Sequence, residues 1–109
     1  MATTYKVLGQ VNPSATTATT AYTVPSATET VISSIVVANL GGSSATYRIA
    51  VRPDGESLAN KHYLVYDATI AGTDSITLTL GITLNATDVV TVFASTATMS
   101  FSLFGSEIA

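Results

Sequence analysis

The stretch DSITLTLGITLNATDVVTVF (residues 74–93) has the sharpest pattern in the chain. Ile76, Leu78, Leu80, Ile82 and Leu84 are large and apolar, while Thr77, Thr79, Gly81 and Thr83 between them are small or hydroxylated. A period of two belongs to a strand with one face in a core and the other outside it. The pattern predicts one strand over 76–84, turned at Asn85–Asp88 into a second over Val89–Ser95.

The same reading extends along the chain. Strands are predicted at Tyr5–Val11, Thr20–Val24, Glu29–Leu40, Ala45–Pro53, Lys61–Ile70 and Thr98–Gly105. Residues 12–20, with Pro13 among threonines, read as a loop or an extended edge. Gly41–Ser44 and Ala71–Asp74 read as turns, and Asp54–Asn60 as a loop with room for one helical turn. About eight short strands with turn signals every 8 to 12 residues predict an all-β fold: a single antiparallel β-sandwich over 1–109, jelly-roll-like or Ig-like. The expected core is Val7, Ile35, Val37, Tyr47, Ile49, Val51, Ile76, Leu78, Leu80, Val90, Val92, Phe101 and Leu103.

Two segments depart from simple alternation. In Glu29–Leu40, Val31, Ile35 and Val37 occupy one parity and Ile32, Val36 and Ala38 the other. Apolar residues on both faces mark a central strand, or one whose outer face meets another subunit. Near the C-terminus, Phe104 sits opposite Leu103 in the alternation and Ile108 follows Gly105, carrying apolar groups past the expected end of the sandwich. With the threonine face of the 76–84 strand, these features nominate Ile32, Val36, Thr77, Thr79, Phe104 and Ile108 as an assembly interface.

Composition sharpens that expectation. Charged residues are 10% of the chain and hydrophobic ones 47%, against about 25% charged in a typical soluble domain. Little charge keeps such a surface dispersed. Burying threonine costs less side-chain entropy than burying lysine or glutamate, and strands no charge. Lys6, Arg48, Arg52 and Lys61 are too few to track phosphates, so no nucleic-acid partner is expected. The absence of cysteine excludes disulfides and thiolate metal sites. No apolar run is long enough for a membrane span, and the first ten residues do not read as a secretory signal.

A search for chemistry finds no converging set. His62 is the single histidine and no G-x-S-x-G elbow is present, so a nucleophile–base pair is not indicated. His62 reads as a strand residue on a polar or half-buried face. Asp54 and Glu56 flank Gly55 without the further oxygen ligands of a calcium loop, and PDGE reads as a turn. Asn85-Ala86-Thr87 matches a glycosylation acceptor in pattern alone. Tyr5, Tyr22, Tyr47, Tyr63 and Tyr66 suit sheet packing or contacts with sugars and protein. The local T-x-T pairs lack the regular repeat of an ice-binding plane. No catalytic, cofactor or metal residues are expected.

The blocks TTYKVLGQ (3–10), YTVPSATETVISSIVVAN (22–39), YRIAVRP (47–53), KHYLVYD (61–67), LTLGITLNATDVVTVFA (78–94) and SFSLFGSEI (100–108) span nearly the whole chain. As a set they resemble a family of small virion structural proteins of tailed bacteriophages, especially phages of cyanobacteria. The resemblance implies a non-enzymatic particle component, assembled in the host bacterial cytoplasm and located on the virion. The expected role is a capsid decoration or cement protein that bridges capsid subunits. The alternative is a neck, tail, baseplate or fibre module that binds host glycan through tyrosines. Expected partners are other copies of itself and the major capsid protein or another virion protein. The resemblance favours a trimer, whereas the residues leave two-, three- and five-fold packing open.

Overall fold

The computed structural model describes residues 2–109. Nine strands follow in order: β1 (Thr3–Val11), β2 (Thr19–Thr23), β3 (Glu29–Asn39), β4 (Ala45–Arg52), β5 (Tyr63–Ile70), β6 (Ser75–Leu78), β7 (Ile82–Leu84), β8 (Val89–Ala94) and β9 (Met99–Ile108). Between β4 and β5 lie two single 3₁₀ turns, Pro53–Gly55 and Asn60–His62.

The strands form two antiparallel sheets. Sheet A has the order β1-β9-β3-β6, with β7 also paired to β3; sheet B has the order β2-β8-β4-β5. The chain changes sheet at every connection except β4 to β5 and β6 to β7. With β6 and β7 taken as one interrupted strand, this is the double-Greek-key winding of a jelly roll. The two open topologies are thereby resolved in favour of the jelly roll.

The mixed pattern of Glu29–Leu40 is shaped by an irregularity in its pairing. In the β3–β9 ladder Ile32 is registered with Gly105 and Ser34 with Phe104, so Ser33 is an extra residue on β3. This β-bulge reverses the parity of β3. Thr30 and Ile32 face the core before it; Ile35, Val37 and Asn39 face the core after it. The phase change gathers Ile32, Ile35 and Val37 on the inward face, while Val31, Val36 and Ala38 keep the outer face apolar as well. The bulge brings the backbones so close that a Cβ on Gly105 would collide with the carbonyl oxygen of Val31. Opposite the bulge, the predicted 76–84 strand breaks. Leu78 pairs with Ile35 and Ile82 with Ile32, and the intervening chain turns at Gly81 with φ +60°. Leu80, expected in the core, is 44% exposed at that break.

The remaining core follows the alternation. Ile35, Val37, Tyr47, Ile49, Val90, Val92, Phe101 and Leu103 are buried, and Val51, Ile76 and Leu78 pack against them half-buried. Val7 is the second correction. A bulge at Leu8 in the β1–β9 ladder turns Leu8 into the core and leaves Val7 outside, 48% exposed. β9 also runs further than expected, to Ile108, as an inner strand of sheet A between β1 and β3. Phe104 and Ile108 are therefore part of the central ladder and not a tail beyond it.

A polar tether joins the sheets. The Tyr22 hydroxyl, on β2, donates to the Glu107 carboxylate on β9 and accepts from Thr30 on β3 at 2.8 Å. Lys6 closes the chain of contacts on Glu107 at 3.1 Å. Burial, reinforced by the Glu107 carboxylate, pushes the Tyr22 phenol up to about 12. The same hydrogen bond holds the Glu107 carboxyl below its usual range. A raised folded-state pKa contributes stability that is complete below the unfolded value and is lost as pH rises through the folded one. Tyr22 should thus cost the fold on the order of 2 kcal/mol between about pH 10 and pH 12. In denaturant titrations across that range, wild type should lose more stability than Tyr22→Phe. Parallel losses would mean that Tyr22 does not carry the effect.

Candidate functional site

The outer face of sheet A is assembled by cross-strand rows. Tyr5, Ser106, Val31 and Thr83 form one row; Val7, Phe104 and Ser34 the next; Gln10, Ser102, Val36 and Thr77 a third. Thr3, Ile108 and Glu29 close one end, and Ser100, Ala38 and Ser75 the other. Among the described residues, Glu29 at the margin is the one charged side chain that the register places on this face. The apolar members are unevenly covered: Tyr5 is 84% exposed, whereas Phe104 and Ile108 are half-buried among their neighbours. Between β1 and the β3 bulge lies a depression of ≈ 420 Å³ lined by Tyr5, Lys6, Ser33, Phe104, Gly105 and Ser106.

The nominated interface residues separate into three groups. Val36, Thr77, Phe104 and Ile108 share this outer face, and Val36 and Thr77 are direct cross-strand partners. Thr79 is exposed just beyond the end of β6, off the ladder. Ile32 is a correction: it is fully buried and faces the core, because the bulge that follows it shifts the parity of β3. Tyr5 and Val7, absent from the nominated set, are the most open apolar groups of the face. The bulge at Leu8 hides this in the sequence, since its phase shift is invisible to a count of alternate residues.

Sheet B presents a different outer face. Arg48 on β4 lies between two rings, with its guanidinium carbon 4.2 Å from the centroid of Tyr66 and 4.2 Å from that of Phe93. Its Nε and Nη2 donate to the two carboxylate oxygens of Asp67 at 2.6 and 3.2 Å. Those bonds hold the Asp67 carboxyl below its usual range and the guanidinium above its own. Tyr63 stands edge to face with Tyr66, ring centroids 4.9 Å apart. In a regular strand Tyr66 and Asp67 would point to opposite sides. Two register shifts against β4 insert extra residues into β5, and Asp67 takes φ +54°. Bulges of this kind re-aim side chains, and here they bring Tyr63, Tyr66 and Asp67 to the side of Arg48. Asn60, Tyr63 and Tyr66 line a groove of ≈ 330 Å³ beside the cluster.

The acidic and imidazole groups weighed in the sequence are dispersed into local roles. His62 lies in the second 3₁₀ turn and is buried, where a half-buried strand position was expected. Its Nδ1 accepts the Ala59 amide at 3.0 Å, leaving Nε2 as the donor to Glu56 at 3.2 Å. That bond, with Lys61 at 3.3 Å, keeps the Glu56 carboxyl below its usual range. Asp54 accepts the Thr87 hydroxyl at 2.6 Å, and Asp88 accepts the amides of Asp54 and Asn85. Asp54 and Glu56 thus serve different turns. Among the described residues no cluster of three His, Cys, Asp or Glu side chains is placed to hold a metal.

A scan against protein-family models matches none, and a comparison with curated proteins finds no significant match.

Proposed function

We propose that the protein is a non-enzymatic structural component of a phage virion: a capsid decoration protein that self-associates and bridges capsid subunits. The observation that carries this reading is the outer face of sheet A, where Tyr5, Val7, Phe104, Val36 and Ile108 are set among serines and threonines, with Glu29 at its end and Lys6 on the β1 edge as the charges beside it. Covering about 100 Å² of apolar surface is worth about 2.5 kcal/mol. The hydroxyls between can be covered without stranding a charge. A small rigid domain repeated over a shell multiplies modest contacts into a strong overlay. Jelly rolls are also frequent in capsids, which supports the reading by analogy of fold alone. The sequence resemblance to small virion proteins points the same way, and it favours a trimer.

Two measurements test the proposal. Light scattering behind a sizing column should give a multiple of the 11.2 kDa chain. Val7→Glu, on an exposed edge-strand position, should shift the mass toward monomer while leaving the monomer folded. A wild-type monomer at micromolar concentrations would remove self-association. Quantitative mass spectrometry of purified virions should then place its copy number near that of the major capsid protein. A few copies per particle would instead favour a neck, tail, baseplate or fibre position, and absence from the particle would overturn the structural role altogether.

A further inference from the structure

We infer that the groove bounded by Asn60, Tyr63 and Tyr66 is a binding site for an uncharged saccharide, independent of where on a particle the protein sits. The groove's ≈ 330 Å³ lies within the range of small-ligand sites and is short for a peptide channel. Two tyrosine rings meet there nearly at right angles, 85° between planes. Such a corner offers an apolar ring surface on one side and phenol hydroxyls at its rim. Asn60, exposed on the adjoining turn, adds an amide that can both donate and accept, the pattern that adjacent sugar hydroxyls match.

The electrostatics select against a charged ligand. Arg48 is committed to Asp67 through both carboxylate oxygens, and Lys61, paired with Glu56 at 3.3 Å, does not line the groove. What faces the groove is aromatic and amide, without a free charge to capture an anion or cation. The corner is also held in advance of binding. Tyr66 is 58% exposed, an unfavourable position for a large ring. Its orientation is nevertheless fixed by the Arg48 guanidinium, which Phe93 and Asp67 hold in turn. The positive φ of Asp67 belongs to the β5 bulge that turns its carboxylate toward Arg48. Arg48 is accordingly a positioning residue and Tyr66 the contact residue.

Saturation-transfer NMR with maltotriose, cellotriose and tri-N-acetylchitotriose at millimolar concentration tests the inference on the whole chain. At least one sugar should receive saturation. Tyr66→Ala should weaken its binding about tenfold or more, as should Asn60→Ala, whose exposed side chain bears little on folding. Tyr5→Ala, on the opposite sheet, should leave binding unchanged. Transfer to none of the three sugars, or binding indifferent to both Tyr66 and Asn60, would overturn the assignment. So would preferential binding of a proline-rich peptide run in parallel, which would make the corner a peptide site. None of these outcomes depends on oligomeric state or copy number, so the site and the virion role fail separately.

Discussion

Phe101→Ala is expected to cost the fold about 3–5 kcal/mol, enough to unfold a domain at the low end of the usual stability range. Phe101 is completely buried on β9, with Val11 and Val37 as its cross-strand partners and the Tyr47 ring edge-on at 6.2 Å. Truncating such a ring removes its transfer free energy and leaves a cavity that two hydrogen-bonded neighbours cannot close, a cost of about 3–5 kcal/mol. A domain of this size has a total stability of about 5–15 kcal/mol. Leu80→Ala is the informative control. By plain alternation Leu80 and Leu78 are equivalent, yet Leu80 is 44% exposed at the break between β6 and β7. Its truncation should cost about 1 kcal/mol or less. Urea denaturation of both variants checks the pair. A Leu80→Ala loss as large as that of Phe101→Ala would mean that residues 76–84 form the unbroken strand that the alternation suggests.

Asn39→Leu should be comparably damaging, although it replaces a polar side chain in the interior with an apolar one of similar size. Asn39 is 2% exposed, at the end of β3. Its amide nitrogen lies within hydrogen-bonding distance of the carbonyl oxygens of Ser43 (2.9 Å), Ile70 (3.3 Å) and Ala71 (3.3 Å). Its oxygen accepts from the Gly41 amide and the Thr98 hydroxyl, each at 3.0 Å. One side chain therefore satisfies groups from three connections at one end of the sandwich: β3–β4, β5–β6 and β8–β9. Leucine would strip a partner from the buried Ile70 carbonyl and from the part-buried groups around it, at about 1–3 kcal/mol for each that water cannot reach. The expected loss is on the order of 3–5 kcal/mol. Amide exchange at Gly41 and Thr73 should accelerate with it, since the Thr73 amide bonds to the Gly41 carbonyl in the same cluster. A loss below about 1 kcal/mol, with exchange unchanged, would show that the three loops hold together without Asn39.

These two residues differ in how far the sequence announces them. Phe101 is evident from Met99, Phe101 and Leu103 alternating with serines, because a strand with one buried face writes its period of two directly into the chain. The same logic places Tyr47 and Ile49 inside and Arg48 and Arg52 outside, as observed. Asn39 carries no comparable mark. An asparagine before Leu-Gly-Gly reads as ordinary turn chemistry, and its bonding partners come together only when three loops separated by up to about sixty residues converge.

The chain's own periodicity and turn residues determined the all-β class, the positions of most strands and most of the core, because these depend on which residues alternate along a single strand. Phase was decided elsewhere. At Leu8 and Ser33 one extra residue, and within β5 two, are absorbed by pairing with a neighbouring strand, and nothing local marks where the parity turns over. For that reason Val7 came to the surface and Ile32 went to the core. Strand order belongs to the same category: alternation reports that a face is buried, but not against which partner. The Arg48 cluster needs β4, β5 and β8 side by side, and the low-charge outer face needs β1, β9, β3 and β6. Both surfaces therefore exist only once long-range antiparallel pairing has chosen the neighbours.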